Sequence, residues 1–237
     1  MPGVDFVPAM IVRLRDRIGG GIGVRTAIRL AVTSPSELAR VVRHRNGPPR
    51  LRTLERLIRD RKPHVIVEIG VWRGDTAIRM IQAAGQPLRY WGFDLFSQQM
   101  TDEIMSREVS LRPLSLEAVR SRLQGLGAEV NLVAGDSTLT LPSTELPPVD
   151  LAFVDGGHSY ETVSADWQNI RPRLAPGGVV VFDDYTNLLA VEREGYGVRR
   201  LVDELRGDFR VELLRPVDVF PREYGRLETR LALVKTD

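Results

Sequence analysis

The sequence predicts an α/β protein: a doubly wound, mostly parallel sheet of seven strands behind an N-terminal helical extension. Three observations predict it. Short continuous apolar runs such as Val65-Ile66-Val67-Glu68-Ile69 are what strands buried on both faces look like. Segments with helical spacing alternate with those runs, as strand–helix–strand units require. A glycine-bearing loop, Gly70 to Gly74, joins the first strand to the helix after it. The 237 residues fit one such domain with a modest extension better than two.

The elements follow in order. Residues 1–62 read as a helical, basic extension. Ile11, Val12, Leu14 and Ile18 lie close to helical spacing, and Gly19-Gly20-Gly21 then breaks the pattern. Ser34, Pro35 and Glu37 form a helix start. After Gly47-Pro48-Pro49, Leu51, Leu54, Leu57 and Ile58 share one face of a helix ending near Arg61. The α/β domain spans residues 63–237. Its strands are expected at 65–69, 90–94, 130–133, 149–155 and 179–183, with two late, antiparallel strands at 209–214 and 227–235. Helices are expected near 75–84, 115–126, 161–174 and 195–206. Residues 97–113 read as an irregular loop, either a lid over the site or a plain insertion.

Composition excludes several classes. The chain has no cysteine, so a disulfide scaffold, a cysteine nucleophile and a thiolate zinc site are ruled out. No stretch approaches the roughly 20 apolar residues of a membrane span, and no signal peptide is evident, which fits a cytoplasmic protein. Residues 1–62 hold 14 Lys/Arg against 5 Asp/Glu, a balance of +9 that leaves −7 on the rest. Such an excess either steers an anionic partner or is a solvated helical face. No aromatic residues interleave with these arginines, so single-strand stacking is unsupported and no nucleic acid partner is expected.

The chemistry-bearing residues fall at strand ends. Glu68 near the end of the first strand, with Gly70 and Gly74 after it, makes a loop that lets a ligand approach the backbone and the next helix start. The dinucleotide fingerprint requires glycine where Trp72 and Asp75 stand, so it fits poorly, and no phosphate-cradling Gly-Lys-Ser/Thr sequence is present. Asp94 ends the second strand, where an acid either accepts ribose hydroxyls or caps the loop beyond. Gly135-Asp136-Ser137 follows the third strand. Asp155 ends the fourth, in Asp150-Leu-Ala-Phe-Val-Asp-Gly-Gly-His158, and Asp183-Asp184 end the fifth. Adjacent parallel strands bring these last three carboxylates together, and their repulsion invites a divalent cation with oxygen preference, Mg²⁺ or Mn²⁺. The alternatives are a helix cap at Asp155 and a turn residue at Asp184.

The segment from Glu68 to Gly74 resembles motif I of class I S-adenosylmethionine (SAM) dependent methyltransferases, which are Rossmann-like. The resemblance covers about 63–235. It implies SAM as cofactor, with Glu68 at its amino acid end, Gly70 and Gly74 beneath the ribose, Asp94 on the ribose hydroxyls, Asp136 and Ser137 at the adenine, and Asp155 close by. The acid positions further resemble metal-dependent O-methyltransferases that act on sugar hydroxyls. That likeness implies Asp155, Asp183 and Asp184 as metal ligands and His158 as base. Tyr160, close by in sequence, is a second candidate base, less suited because a phenol ordinarily holds its proton far above neutral pH. The expected acceptor is a small-molecule hydroxyl, on a sugar or glycosylated metabolite. The rival expectations are a metal-independent methyltransferase, a SAM-binding module without activity, and nucleic-acid methylation. Helices in 1–62 offer a surface for a homo-oligomer. His44 and His64 are expected to be structural or surface residues, and residues 186–197, with Tyr185 and Tyr196, to line the acceptor pocket.

Overall fold

The computed structural model describes residues 48–85, 87–99, 113–187, 196–222 and 225–236. The expectations for helices at 11–18 and from Ser34, for His44, for an N-terminal oligomer surface, for most of the 97–113 loop and for 188–195 lie outside the described residues.

Helix α1 (Pro49–Arg61) opens on a proline, whose missing N–H is harmless in a first turn, and buries Leu51, Leu54 and Ile58. Then come β1 (Val65–Ile69), α2 (Asp75–Ala84), β2 (Leu88–Asp94), the single turn α3 (Phe96–Gln99), α4 (Leu116–Leu123) and β3 (Ala128–Ala134). The second half runs α5 (Ser137–Ser143), β4 (Val149–Val154), α6 (Tyr160–Ile170), a 3₁₀ turn, β5 (Leu174–Thr186), α7 (Val198–Leu205), β6 (Arg210–Leu213), β7 (Asp218–Arg222) and β8 (Gly225–Lys235).

The strands form one sheet in the order β3-β2-β1-β4-β5-β8-β6, with β7 paired to β8. β1 to β5 are parallel, and β8 is antiparallel to β5, β6 and β7. Alternate residues of β1 serve opposite faces. Ile66 joins Leu151 and Phe153 in a core covered by Leu54, Met80 and Val119 of α1, α2 and α4. Val67 joins Ala152 and Phe182 beneath Leu141, Trp167 and Val202 of α5, α6 and α7. All five β1 residues are buried, so its apolar run is a consequence of helices on both sides. The chain winds outward from β1 in one direction and through β4 in the other. Their carboxyl ends therefore flank the crevice where doubly wound sheets take ligands.

The structure adds to the sequence expectation in three places. The compact unit begins at Pro49, so α1, which its composition grouped with residues 1–62, packs with the sheet. An eighth strand, β7, pairs with β8; Pro221 inside it hid it, because proline is tolerated only on such an edge. Helix α5 carries two threonines and Pro142, a poor helical composition, yet it forms behind Asp136, whose side chain accepts from the Thr138 N–H.

Candidate active site

Four strand ends are tied along one edge. The Gly70 N–H donates to the Phe93 carbonyl at 2.9 Å, the Gly135 N–H to the Asp94 carbonyl at 2.9 Å, and the Asp155 N–H to the Ile69 carbonyl at 2.8 Å. The strand ends carrying Glu68 and Asp94 and the loops carrying Asp136 and Asp155 thus lie side by side. Gly70 sits at φ +92, and a Cβ there would lie 2.1 Å from the Asp155 carbonyl oxygen. Only glycine fits so close to another backbone. Trp72 also adopts a positive φ, and its N–H donates to Asp94 Oδ2 at 2.7 Å. Gly74, at φ +78, precedes α2 without a side-chain cap, as the N-terminus facing a ligand would require.

Glu68 is fully buried, and the Tyr90 hydroxyl on β2 donates to its Oε2. Its Oε1 is buried without a partner among the described residues. Burial pushes this carboxyl up to about 8; the Tyr90 hydrogen bond works the other way, and the Asp94 charge adds to the rise. A buried, unpartnered oxygen beside a glycine loop suits a cationic ligand that brings a donor, as the amino acid end of SAM would. Asp94 takes one N–H per oxygen, from Trp72 and from Phe96, each at 2.7 Å, so it both caps its loop and keeps lone pairs for a hydroxyl. Asp136 caps α5 through Thr138, whose N–H and hydroxyl both reach its Oδ1. Asp166 of α6 is buried with neither carboxylate oxygen hydrogen-bonded among the described residues, and burial pushes its carboxyl up to about 7, with the Ser137 side chain acting the other way.

Beyond β4 and β5 the acids meet the histidine. Asp155, His158 and Asp184 each offer a ligand atom, all within 4.8 Å of one another. His158 Nε2 lies 3.0 Å from Asp184 Oδ2. Burial holds the Asp155 carboxyl well above its ordinary range, and the charges of Asp183 and Asp184 add to the effect. Burial acts the same way on Asp184, but the hydrogen bond and charge of His158, with Arg50 beyond, outweigh it and hold that carboxyl low. The ring of His158 is tilted against Tyr196, with centroids 4.8 Å apart, and its carbonyl accepts from the Gly197 N–H at 2.7 Å.

Asp183 is placed differently from its neighbours. Both of its oxygens face Arg50 of α1, at 2.6 Å from Nε and 2.8 Å from Nη2. Arg50 Nη1 also donates to Asp218 of β7 at 2.6 Å. Burial works against the guanidinium charge, but these acids hold its pKa above its ordinary value. The Tyr160 hydroxyl donates to Glu204 at 2.6 Å, and the Tyr185 hydroxyl donates to Asp203 at 2.9 Å. Sequence reasoning missed Arg50, Tyr90 and Asp218. Tyr90 alone left a signal, an aromatic with a hydroxyl in the run Tyr90-Trp91-Gly92-Phe93 that leads to Asp94.

Comparison with known proteins fits this geometry. A family model described as a methyltransferase domain matches residues 67–185, half of the chain. The chain is 29% identical over 176 residues to the 8-demethyl-8-(2,3-dimethoxy-alpha-L-rhamnosyl)-tetracenomycin-C 4'-O-methyltransferase of Streptomyces olivaceus, covering 65% of this chain and 67% of that one. It is 30% identical over 151 residues to the mycinamicin III 3''-O-methyltransferase of Micromonospora griseorubida, covering 56% of this chain and 59% of that one. Its fold is similar to that of the O-methyltransferase NovP, with a TM-score of 0.58, 23% identity and 79% of each chain covered. No helix among the described residues is long and apolar enough to cross a membrane. With the glycine loop, the ordered acids and the family model all on the same residues, the chain belongs to the methyltransferase domain family and is a class I SAM-dependent methyltransferase.

Proposed function

We propose that the chain transfers a methyl group from SAM to a hydroxyl of a small molecule, a sugar or glycosylated metabolite, in the cytoplasm. The contact of His158 with Asp184, beside the loops that would hold the cofactor, carries this reading. SAM, when bound, supplies an electrophilic methyl group on a sulfonium. Glu68, Asp94, Asp136 and the glycine loop would hold it, and Asp155 closes the crevice against Gly70. His158 would take the acceptor's hydroxyl proton, leaving that oxygen to receive the methyl group that bound SAM would supply. Asp184 orients the imidazole and stabilises its charged form, as the acid behind a catalytic histidine does. The acceptor class is supported by the two relatives, both O-methyltransferases by name, the first of them named for a rhamnosyl-bearing compound.

A divalent cation, Mg²⁺ or Mn²⁺, is part of this reading. Asp155 and Asp184 would hold it, and it would acidify and orient the hydroxyl. Asp183, the third ligand that the resemblance implies, has both oxygens on Arg50 instead. The cluster of Asp155, His158 and Asp184 favours a second reading in which His158 is itself a ligand and the acceptor loses its proton to solvent. Incubation with labelled SAM and a panel of free and glycosylated hydroxyl compounds tests the main reading. Label on a sugar oxygen supports it, and label on nitrogen or on none of the panel sinks it.

A further inference from the structure

We propose that Arg50 is a positioning residue of the active site: from the first turn of α1 it locks the Asp183-Asp184 corner so that Asp184 faces His158. This rests on the reading of His158 and Asp184 as the proton-transfer pair. Helix α1 precedes residues 67–185, so the family likeness assigns it no role. Its apolar side, Leu51, Leu54 and Ile58, is anchored in the sheet's core, which fixes where Arg50 begins. The guanidinium then spans three carboxylates. Its Nε and Nη2 fork both oxygens of Asp183, its Nη1 takes Asp218, and Nη2 lies 3.6 Å from Asp184 Oδ1.

The corner needs such a lock. The pairing of β5 with β8 shifts register between Phe182 and Tyr185, so the ladder does not hold Asp183 and Asp184. Asp184 adopts φ +54, a left-handed conformation unfavourable for a residue with a Cβ. What holds it is the Asp183 carboxylate, whose Oδ1 accepts the Asp184 N–H at 2.7 Å. The same Oδ1 is the one gripped by Arg50 Nε. A continuous chain of contacts thus runs from α1 through Asp183 and the Asp184 backbone to the Asp184 carboxylate and His158 Nε2. The side chains of Asp183 and Asp218 are 2% and 4% exposed, so loss of Arg50 leaves two buried carboxylates without their cation. With the fork gone, nothing from α1 fixes the Asp183 oxygens, whether they move or take up a proton. Lysine cannot replace it, since one ammonium does not fork a carboxylate while reaching a second acid.

The test is ¹⁵N-histidine NMR of the full chain at one fixed pH. The chain has 3 histidines, His44, His64 and His158, and substitution of the first two assigns the third. Asp184→Asn gives the His158 signal of a broken pair. In Arg50→Met the His158 signal is expected to move from the wild-type position to that of Asp184→Asn, while S-adenosylhomocysteine affinity by calorimetry stays within about threefold. Arg50→Lys, which keeps the charge without the fork, is expected to move the same way and serves if Arg50→Met fails to fold. A wild-type His158 signal in any folded Arg50 variant overturns the proposal. So does an Asp184→Asn signal identical to wild type. If the signals move as expected but Asp184→Asn retains full methyl transfer, the positioning role stands and the catalytic reading of the pair falls.

Discussion

The His158 imidazole, in the loop after β4, meets the Asp184 carboxylate near the end of β5, with Nε2 and Oδ2 3.0 Å apart. If this pair moves the proton, His158→Ala lowers methyl transfer by about 100-fold or more. Cofactor affinity should hardly change, because Glu68, Asp94 and the glycine loop are untouched. Single-turnover transfer from labelled SAM and calorimetric binding of S-adenosylhomocysteine separate the two quantities. A parallel loss of both would assign His158 to cofactor binding instead.

A chelator distinguishes the metal readings. EDTA is expected to abolish transfer and added Mn²⁺ or Mg²⁺ to restore it, with Asp155→Asn weakening Mn²⁺ binding more than Asp183→Asn, since Asp183 is occupied by Arg50. Electron paramagnetic resonance of Mn²⁺ reads the affinities directly. Full activity after chelation leaves His158 to act alone.

Glu68 makes the cofactor-free protein less stable as pH rises. Its folded pKa stands at about 8 against an ordinary 4.5, because it is buried. Between those values the folded chain binds a proton that the unfolded chain has released, so stability declines through the window and the loss is complete above it. Melting temperatures without cofactor, from about pH 5 to about pH 9, should fall, and Glu68→Gln should flatten part of the slope while weakening SAM binding. An unchanged slope in Glu68→Gln would place the effect elsewhere.

Asp166 gives a second, lower window. Burial raises its carboxyl from 3.8 to about 7, so its stabilisation is lost as pH climbs to neutrality. Asp166→Asn should therefore melt higher than wild type above that window and no higher below it. Denaturation at one pH on each side checks this; a variant that melts lower on both sides would show that the carboxylate itself is needed.

Gly70→Ala should be severe. The new Cβ meets backbone, the Asp155 carbonyl at 2.1 Å, and the residue is held at φ +92. Relief requires β1 and β4 to part at the site, with a cost above about 2 kcal/mol in denaturant unfolding and loss of SAM binding. Retention of both would contradict the close approach.

Much of this site is legible in the sequence because its residues sit at fixed places in repeated units. Glu68, Asp94, Asp136, Asp155 and Asp184 each follow or end an apolar run, and parallel winding alone puts such ends on one edge. What was not legible depends on three-dimensional register. Tyr90 reaches Glu68 because Ile66 pairs with Tyr90 and Glu68 with Gly92, which sets the two side chains on one face of adjacent strands. Arg50 meets Asp183 across 133 residues of sequence and Asp218 across 168. No local pattern marks one arginine of a basic helix as the buried one. Nor does any pattern tell that Asp183 turns away from its neighbour; that follows from the broken ladder and the left-handed turn at Asp184.

The helix before β1 and the strand after β7 carry a consequence for modularity. Leu51, Leu54 and Ile58 lie before residues 67–185 and fill one core, and Leu231, Ala232, Leu233 and Val234 lie after them and fill both. The stretch that bears the ancestry is thus not one that could be excised and folded. Cut out alone, it would leave β5 a bare edge with both faces of the sheet partly stripped, a template for aggregation. A transplant of this activity into another chain would have to carry Pro49 through Lys235 as one piece.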